Sequence, residues 1–135
     1  MTENDIAREV VDAAYRVHVT LGPGLLESVY EAVLAHELRR RGLGVEAQVP
    51  LSIRYGDLHI EDAFRADLIV EGKVIVELKS VENTTPVHHK QLLTYLRLTE
   101  RRLGLLINFG TVYIKDGISR VANNLPDHSS SLPSS

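Results

Sequence analysis

Apolar residues fall at Ile6, Val10, Ala13, Ala14, Val17 and Leu21, the three-and-four spacing of one helical face, and predict a helix over residues 5–21. Asn4 or Asp5 is placed to cap its start, and Gly22-Pro23-Gly24 ends it. His18 lies at the edge of the apolar arc and reads as a half-buried packing residue. A second helix is expected over about residues 25–41, with Leu26, Val29, Tyr30, Val33, Leu34 and Leu38 on one arc. Glu27 falls on that arc between Leu34 and Leu38, so an acid is expected to face inward there, with Glu31 just outside it. A favourable position near the helix N-terminal dipole explains an acid in the first turn but not why it should point inward. Arg39, Arg40 and Arg41 close the helix, where cations complement the C-terminal dipole.

The period then changes to two. Val45, Ala47, Val49, Leu51 and Ile53 alternate with mostly polar residues, a strand with one buried face, and Pro50 marks it as an edge strand or a bulge. After a turn at Tyr55-Gly56-Asp57 the chain is expected to run irregularly from Leu58 to Ala63. Two β-branched runs follow, Phe64 to Val70 and Val74 to Lys79, and predict a hairpin broken at Gly72. Together the three strands predict an antiparallel meander. Thr85 and Pro86 open a helix expected to reach about Arg102, and Leu103 to Phe109 reads as a buried strand. Thr111–Ile114 and Ile118–Val121, around a Lys115-Asp116-Gly117 turn, read as a last hairpin or strand pair. The polar, Ser-rich stretch 123–135 reads as a disordered tail behind one domain over residues 1–122, and His128 in it is given no role.

Composition narrows the chemistry. The net charge of −3 argues against a strongly basic nucleic-acid coat, though not against a local phosphate site. With no cysteine, disulfides, thiolate metal sites and thiol nucleophiles are excluded together. The start has neither the basic nor the apolar region of a signal peptide, and no apolar run approaches membrane-spanning length. A soluble cytoplasmic protein with no membrane partner is expected. There is no internal repeat, Gly-rich phosphate loop, paired-His zinc motif or nucleophile elbow.

Three charges, Asp67, Glu77 and Lys79, interrupt the apolar hairpin. Each costs several kcal/mol there unless it is paired, hydrogen-bonded or bound to a metal. Asp67 and Glu77 on adjacent strands, with the Leu78 backbone carbonyl, supply the hard oxygens that Mg²⁺ prefers. Lys79, two residues beyond Glu77, projects from the same face and is suited to orient a water or stabilise phosphorane charge. Glu27 is placed to reach the site from its helix. The set works only if Asp67 and Glu77 share a face. A two-residue Glu71-Gly72 turn pairs Asp67 with Val76 and separates the acids, whereas a Glu71-Gly72-Lys73 loop sets them opposite each other. Taken without the metal, a cross-strand salt bridge from Lys79 explains the charges as well, and Gln91 beside Tyr95 on one helical face reads as a surface residue next to a core ring.

The order helix, meander with Asp67…Glu77-Leu78-Lys79, helix, strand resembles the core of the PD-(D/E)xK nucleases. Gly24-Leu25-Leu26-Glu27-Ser28-Val29-Tyr30 is similar to the signature of the GxxExxY family within that superfamily. Arg65-Ala66-Asp67, Val76 to Lys79, Gln91 to Leu96 and Ile107-Asn108-Phe109-Gly110 agree with it in order and approximate spacing, and the resemblance spans about residues 6–121. It implies an α/β, restriction-endonuclease-like core: a mixed central sheet with an antiparallel meander, flanked by helices. It further implies Asp67, Glu77, Lys79 and Glu27 as the catalytic set. The metal, Mg²⁺ with Mn²⁺ as a substitute, would be held by Asp67, Glu77, Glu27 and the Leu78 carbonyl. Gln91, Tyr95 and Tyr30 would lie at a nucleic-acid substrate, DNA in the first instance, with Gln91 and Tyr95 similar to the Gln-x-x-x-Tyr element of RecB-like exonucleases. A homodimer is the expected assembly, since a small nuclease often needs a second subunit to cut two strands. The alternatives are a non-catalytic nucleic-acid-binding or assembly module on the same fold, and an enzyme acting on a small phosphate ester from a closed pocket.

Overall fold

A computed structural model describes residues 1–126. The elements are α1 (Glu3–Leu21), α2 (Glu27–Arg40), β1 (Val45–Tyr55), β2 (Leu58–Val70), β3 (Val74–Lys79), α3 (Pro86–Leu98), β4 (Leu103–Asn108), a 3-10 turn (Ile114–Gly117) and β5 (Ile118–Ala122). The five strands form one mixed sheet in sequence order. β1, β2 and β3 are the expected antiparallel meander, β3 and β4 run parallel across α3, and β5 returns antiparallel to β4.

Helices cover both faces. Ile6, Val10, Ala13, Ala14 and Val17 of α1 and Tyr30, Leu34 and Leu38 of α2 pack on Leu68, Val70, Val74, Val76, Leu105 and Ile107. On the other face Leu92 and Leu96 of α3 pack on Ala66, Ile69, Ile75 and Leu106. Leu92 is close enough that a Cβ on Gly104 would lie 2.9 Å from its Cδ1, so the helix seats directly on the β4 backbone.

The first two strands change faces part-way along. Val70 and Leu68 look toward α1 and α2, yet Ala66, also an even position, looks toward α3. Their partners behave alike: Val45 packs with the first cluster, Val49 and Leu51 with the second. Alternation alone forbids this, so the backbone must break step. It does so at Gln48, whose φ is 52°, between the pairs Ala47↔Leu68 and Val49↔Ala66. Asp67 is the β2 residue at the same level. Beyond a bulge near Asp62, with φ 53°, the pair continues as a two-stranded ribbon to its turn. The pairs Ile53↔Ile60 and Tyr55↔Leu58 put four apolar side chains on one ribbon face, with Tyr55 81% exposed.

Several expectations change. The α1 cap is Thr2, in a reciprocal box with Asp5, rather than Asn4 or Asp5 itself. Leu58 to Ala63, expected to be irregular, is the first half of β2. α3 stops at Leu98 rather than near Arg102: Glu100 takes a left-handed φ of 55°, and Arg101 N–H returns to the Leu96 carbonyl at 2.9 Å. No strand forms over 111–114. Thr111 Oγ1 bonds the carbonyls of Asn108 and Tyr113, and side-chain-free Gly117 sits against the Asn108 carbonyl, so the chain folds back at once and β5 pairs with β4 instead. At the start of the expected tail, Asn123 N–H bonds the Arg102 carbonyl and Leu125 packs on the larger core, while 127–135, including His128, lies outside the described residues. Arg39 to Arg41 are a spent helix end: Arg41 reaches Glu37, Glu9 and Asp12, and Arg39 the Val45 carbonyl. His18 is buried, bonded to the Thr111 carbonyl at 2.9 Å.

Candidate active site

The β2–β3 loop is the three-residue one. Val70↔Val74, Ile69↔Ile75 and Leu68↔Val76 pair, which carries Asp67 to the level of Glu77. Glu71 and Gly72 both take left-handed φ, 55° and 66°, a conformation that Gly adopts freely and Glu does not. Glu71 is held in it by Gly44, whose N–H donates to its carboxylate at 2.5 Å and whose carbonyl accepts its N–H at 2.7 Å.

After Val76 the two strands part. β3 continues to pair with β4 through Lys79↔Asn108, but the pairing to β2 ends at Leu68. Asp67 fills part of the gap: its Oδ2 accepts the Leu78 N–H at 2.8 Å, in place of a strand carbonyl. Glu77 lies against it. Burial, then the Asp67 charge and a hydrogen bond to Asp67, push the Glu77 carboxyl up to about 9, against the pull of Lys79. Glu77 Oε1 is buried with no hydrogen-bond partner. Tyr95 of α3 is half-buried, stacked on Phe64 at 4.0 Å, and its hydroxyl is raised by burial and by the charges of Glu77 and Asp67. Gln91, one turn earlier, is exposed.

A cleft of about 210 Å³ is lined by Asp67 together with Glu27, Ser28, Glu31, Gln48 and Leu78. It shares Glu27 and Ser28 with a groove of about 790 Å³ between residues 23–28 and Ser80-Val81-Glu82, which Gly110 also lines. Ser80 Oγ donates to the Leu25 carbonyl at 2.6 Å and ties the end of β3 to the start of α2. Buried Asn108 accepts the N–H groups of Val81 and Gly110, fixing the other wall.

A family model for the PD-(D/E)XK nuclease superfamily matches residues 4–121. The chain belongs to that superfamily. No curated protein matches it. Among solved structures, the crystal structure of SSO0001 is similar at 21% identity and a TM-score of 0.52, covering 87% of this chain and 67% of that one. The likeness is one of fold. The α/β architecture expected of a PD-(D/E)XK chain, a mixed sheet with helices on both faces, is the one described above.

PD-(D/E)XK nucleases typically use divalent metals, and the donors at the β2–β3 opening suit one. Asp67 and Glu77 are hard carboxylate donors. Glu77 Oε1, buried without a hydrogen-bond partner, is an acceptor suited to a cation. Among the described residues, no three His, Cys, Asp or Glu side chains converge as a ready-made metal cluster. Two sequence expectations need correction. Glu27 does not face inward: it is exposed at the first residue of α2, where the helix overhangs the groove, and half-buried Glu31 is the acid drawn toward Asp67. Tyr30 cannot touch a substrate. It is wholly buried, stacked on Phe109 at 4.5 Å, its hydroxyl donating to the Gly22 carbonyl and accepting the Leu25 N–H. Periodicity did not single out Gln48 or Asn108, because each acts through a side-chain amide placed by strand geometry.

Proposed function

We propose that this chain is a metal-dependent nuclease that hydrolyses phosphodiester bonds of DNA, on the GxxExxY branch of its superfamily. The observation that supports it most is the Asp67–Glu77 contact at the opening between β2 and β3, with Glu77 Oε1 left unpartnered and Lys79 two residues on. Asp67, Glu77 and the Leu78 carbonyl would hold Mg²⁺, or Mn²⁺ in its place, and Glu27 would hold it or a bound water. When bound, the cation supplies Lewis-acid activation of water and neutralises phosphate charge. The chain's own groups do the rest. The Leu78 N–H fixes one Asp67 oxygen, and the other lies 3.4 Å from the Gln48 amide. Lys79, already felt by Glu77, is suited to orient the attacking water and to offset charge on the phosphorane. Tyr95, braced by Phe64, and exposed Gln91 offer a ring and an amide to the substrate from α3. Two such chains would be needed to cut both strands of a duplex at one place, which is the case for a homodimer.

The alternative is a non-catalytic nucleic-acid-binding or assembly module on the same fold. Cleavage of single- and double-stranded DNA and RNA with Mg²⁺ or Mn²⁺, for the wild type beside Asp67→Asn and Lys79→Ala, separates the two. Metal-dependent DNA cleavage lost in both variants is expected. Binding without cleavage, or cleavage equal in Asp67→Asn, overturns the nuclease reading.

A further inference from the structure

Gln48 stands opposite Asp67 where β1 and β2 change faces, in a left-handed backbone conformation that costs a non-Gly residue on the order of 1 kcal/mol or more. Its amide Nε2 donates to Glu31 Oε1 at 2.5 Å and lies 3.4 Å from Asp67 Oδ1. Oδ1 is the Asp67 oxygen that the Leu78 backbone leaves free. One uncharged nitrogen therefore faces two carboxylates on separate elements, a helix and a strand, that would otherwise repel each other.

We propose that Gln48 is a positioning residue: it gathers the Glu31 carboxylate to the free oxygen of Asp67, so that Glu31 acts with Asp67 toward the cation. The inference rests on the metal-dependent reading of the site. The cleft lining supports it, because Glu31, Gln48 and Asp67 share one small cavity with Glu27 and the Leu78 backbone. Residue chemistry supports it too. At this position a Glu would add a third negative charge, a Lys would be a rival cation, and a Leu would leave both carboxylates without a common donor. Glu31 sits one helical turn after Glu27 on α2 and is half-buried where Glu27 is exposed.

The test is Mn²⁺ titration of the full chain without nucleic acid, read by the electron paramagnetic resonance of free and bound Mn²⁺ and by thermal unfolding. Gln48→Asn keeps an amide and tolerates the left-handed backbone but is one methylene too short to bridge. Gln48→Met keeps the length and loses the donor. Both are expected to weaken Mn²⁺ binding about 10-fold or more, with the apo Tm of Gln48→Asn within a few degrees of wild type. Glu31→Gln should weaken it to the same extent, and adding Gln48→Met to Glu31→Gln should cost little more, as expected of residues acting as a unit. Wild-type affinity in Gln48→Asn and Gln48→Met, or losses that simply add in the double variant, overturn the inference and leave the metal-dependent reading standing. A wild-type chain that binds no Mn²⁺ overturns both.

Discussion

Asp67 accepts the backbone N–H of Leu78 at 2.8 Å, at the point where β2 has ceased to pair with β3. One carboxylate thus closes a strand edge with one oxygen and faces Glu31, Gln48 and Glu77 with the remainder of its charge. Asp67→Asn keeps an acceptor for Leu78 and removes that charge. The apo variant is expected to melt a few degrees above wild type at pH 8, where the Asp67 charge bears on Glu77, and close to it at pH 5. Any stabilisation of the wild type by Mg²⁺ should vanish in it. Differential scanning fluorimetry at both pH values, with and without Mg²⁺, checks this; a loss of Tm at both pH values contradicts it.

Glu77 carries a pH signature of its own. Burial first, and the Asp67 charge second, raise its carboxyl from 4.5 to about 9 in the folded chain. Between those values the native state holds a proton that the unfolded chain has released. The native state binds more protons, so stability is fully present below about 4.5 and falls as pH rises toward about 9. Glu77→Gln is neutral throughout and should flatten this decline. Urea midpoints measured from pH 5 to pH 9 are expected to converge for the two chains at the acid end and to favour the variant by the largest margin near pH 9. Parallel curves would show that Glu77 ionises freely.

Tyr30→Phe tests the corrected place of that ring. The hydroxyl pins the 22–25 loop at two points and reaches no solvent. Its loss should cost about 1–3 kcal/mol and several degrees of Tm, because the Gly22 carbonyl and the Leu25 N–H lose their partner. Mn²⁺ affinity should stay within about twofold of wild type. A selective loss of metal or DNA binding at unchanged Tm would return Tyr30 to the substrate surface.

Hydrophobic period was enough to read the order of the three helices and of β1 to β4, the meander, the helix between β3 and β4 and the buried character of β4, because each of these buries a continuous apolar stripe. It was also enough to state the loop condition on which the Asp67–Glu77 pairing depends, and the three-residue loop meets it. What it missed has a common cause. Period reports the direction in which a side chain leaves its element, not what lies beyond it. Glu27 leaves α2 on the side of Leu34 and Leu38, yet at the helix end there is a groove rather than a core, so it is exposed. Tyr30, one turn further, meets Phe109 and is buried. Gln48 was invisible for a related reason: a break of step in two strands at once leaves their summed register unchanged. The end of α3 at Glu100 lacked the glycine that usually announces such a stop.

The ribbon beyond the bulge has a mechanical consequence. From Phe64, stacked on Tyr95 of α3, to the turn at Asp57 it extends roughly 20 Å at about 3.3 Å per residue, and past Phe64 it continues as a two-stranded ribbon. Such a projection is a lever, and its fulcrum is the Phe64–Tyr95 stack, three residues from Asp67. A contact at Tyr55 or Leu58 that swings the tip turns the strand about that stack, and moves a carboxylate so close to the fulcrum far less than it moves the tip. The geometry of the acid is therefore geared to the far end of the ribbon, where large movements outside become fine adjustments within.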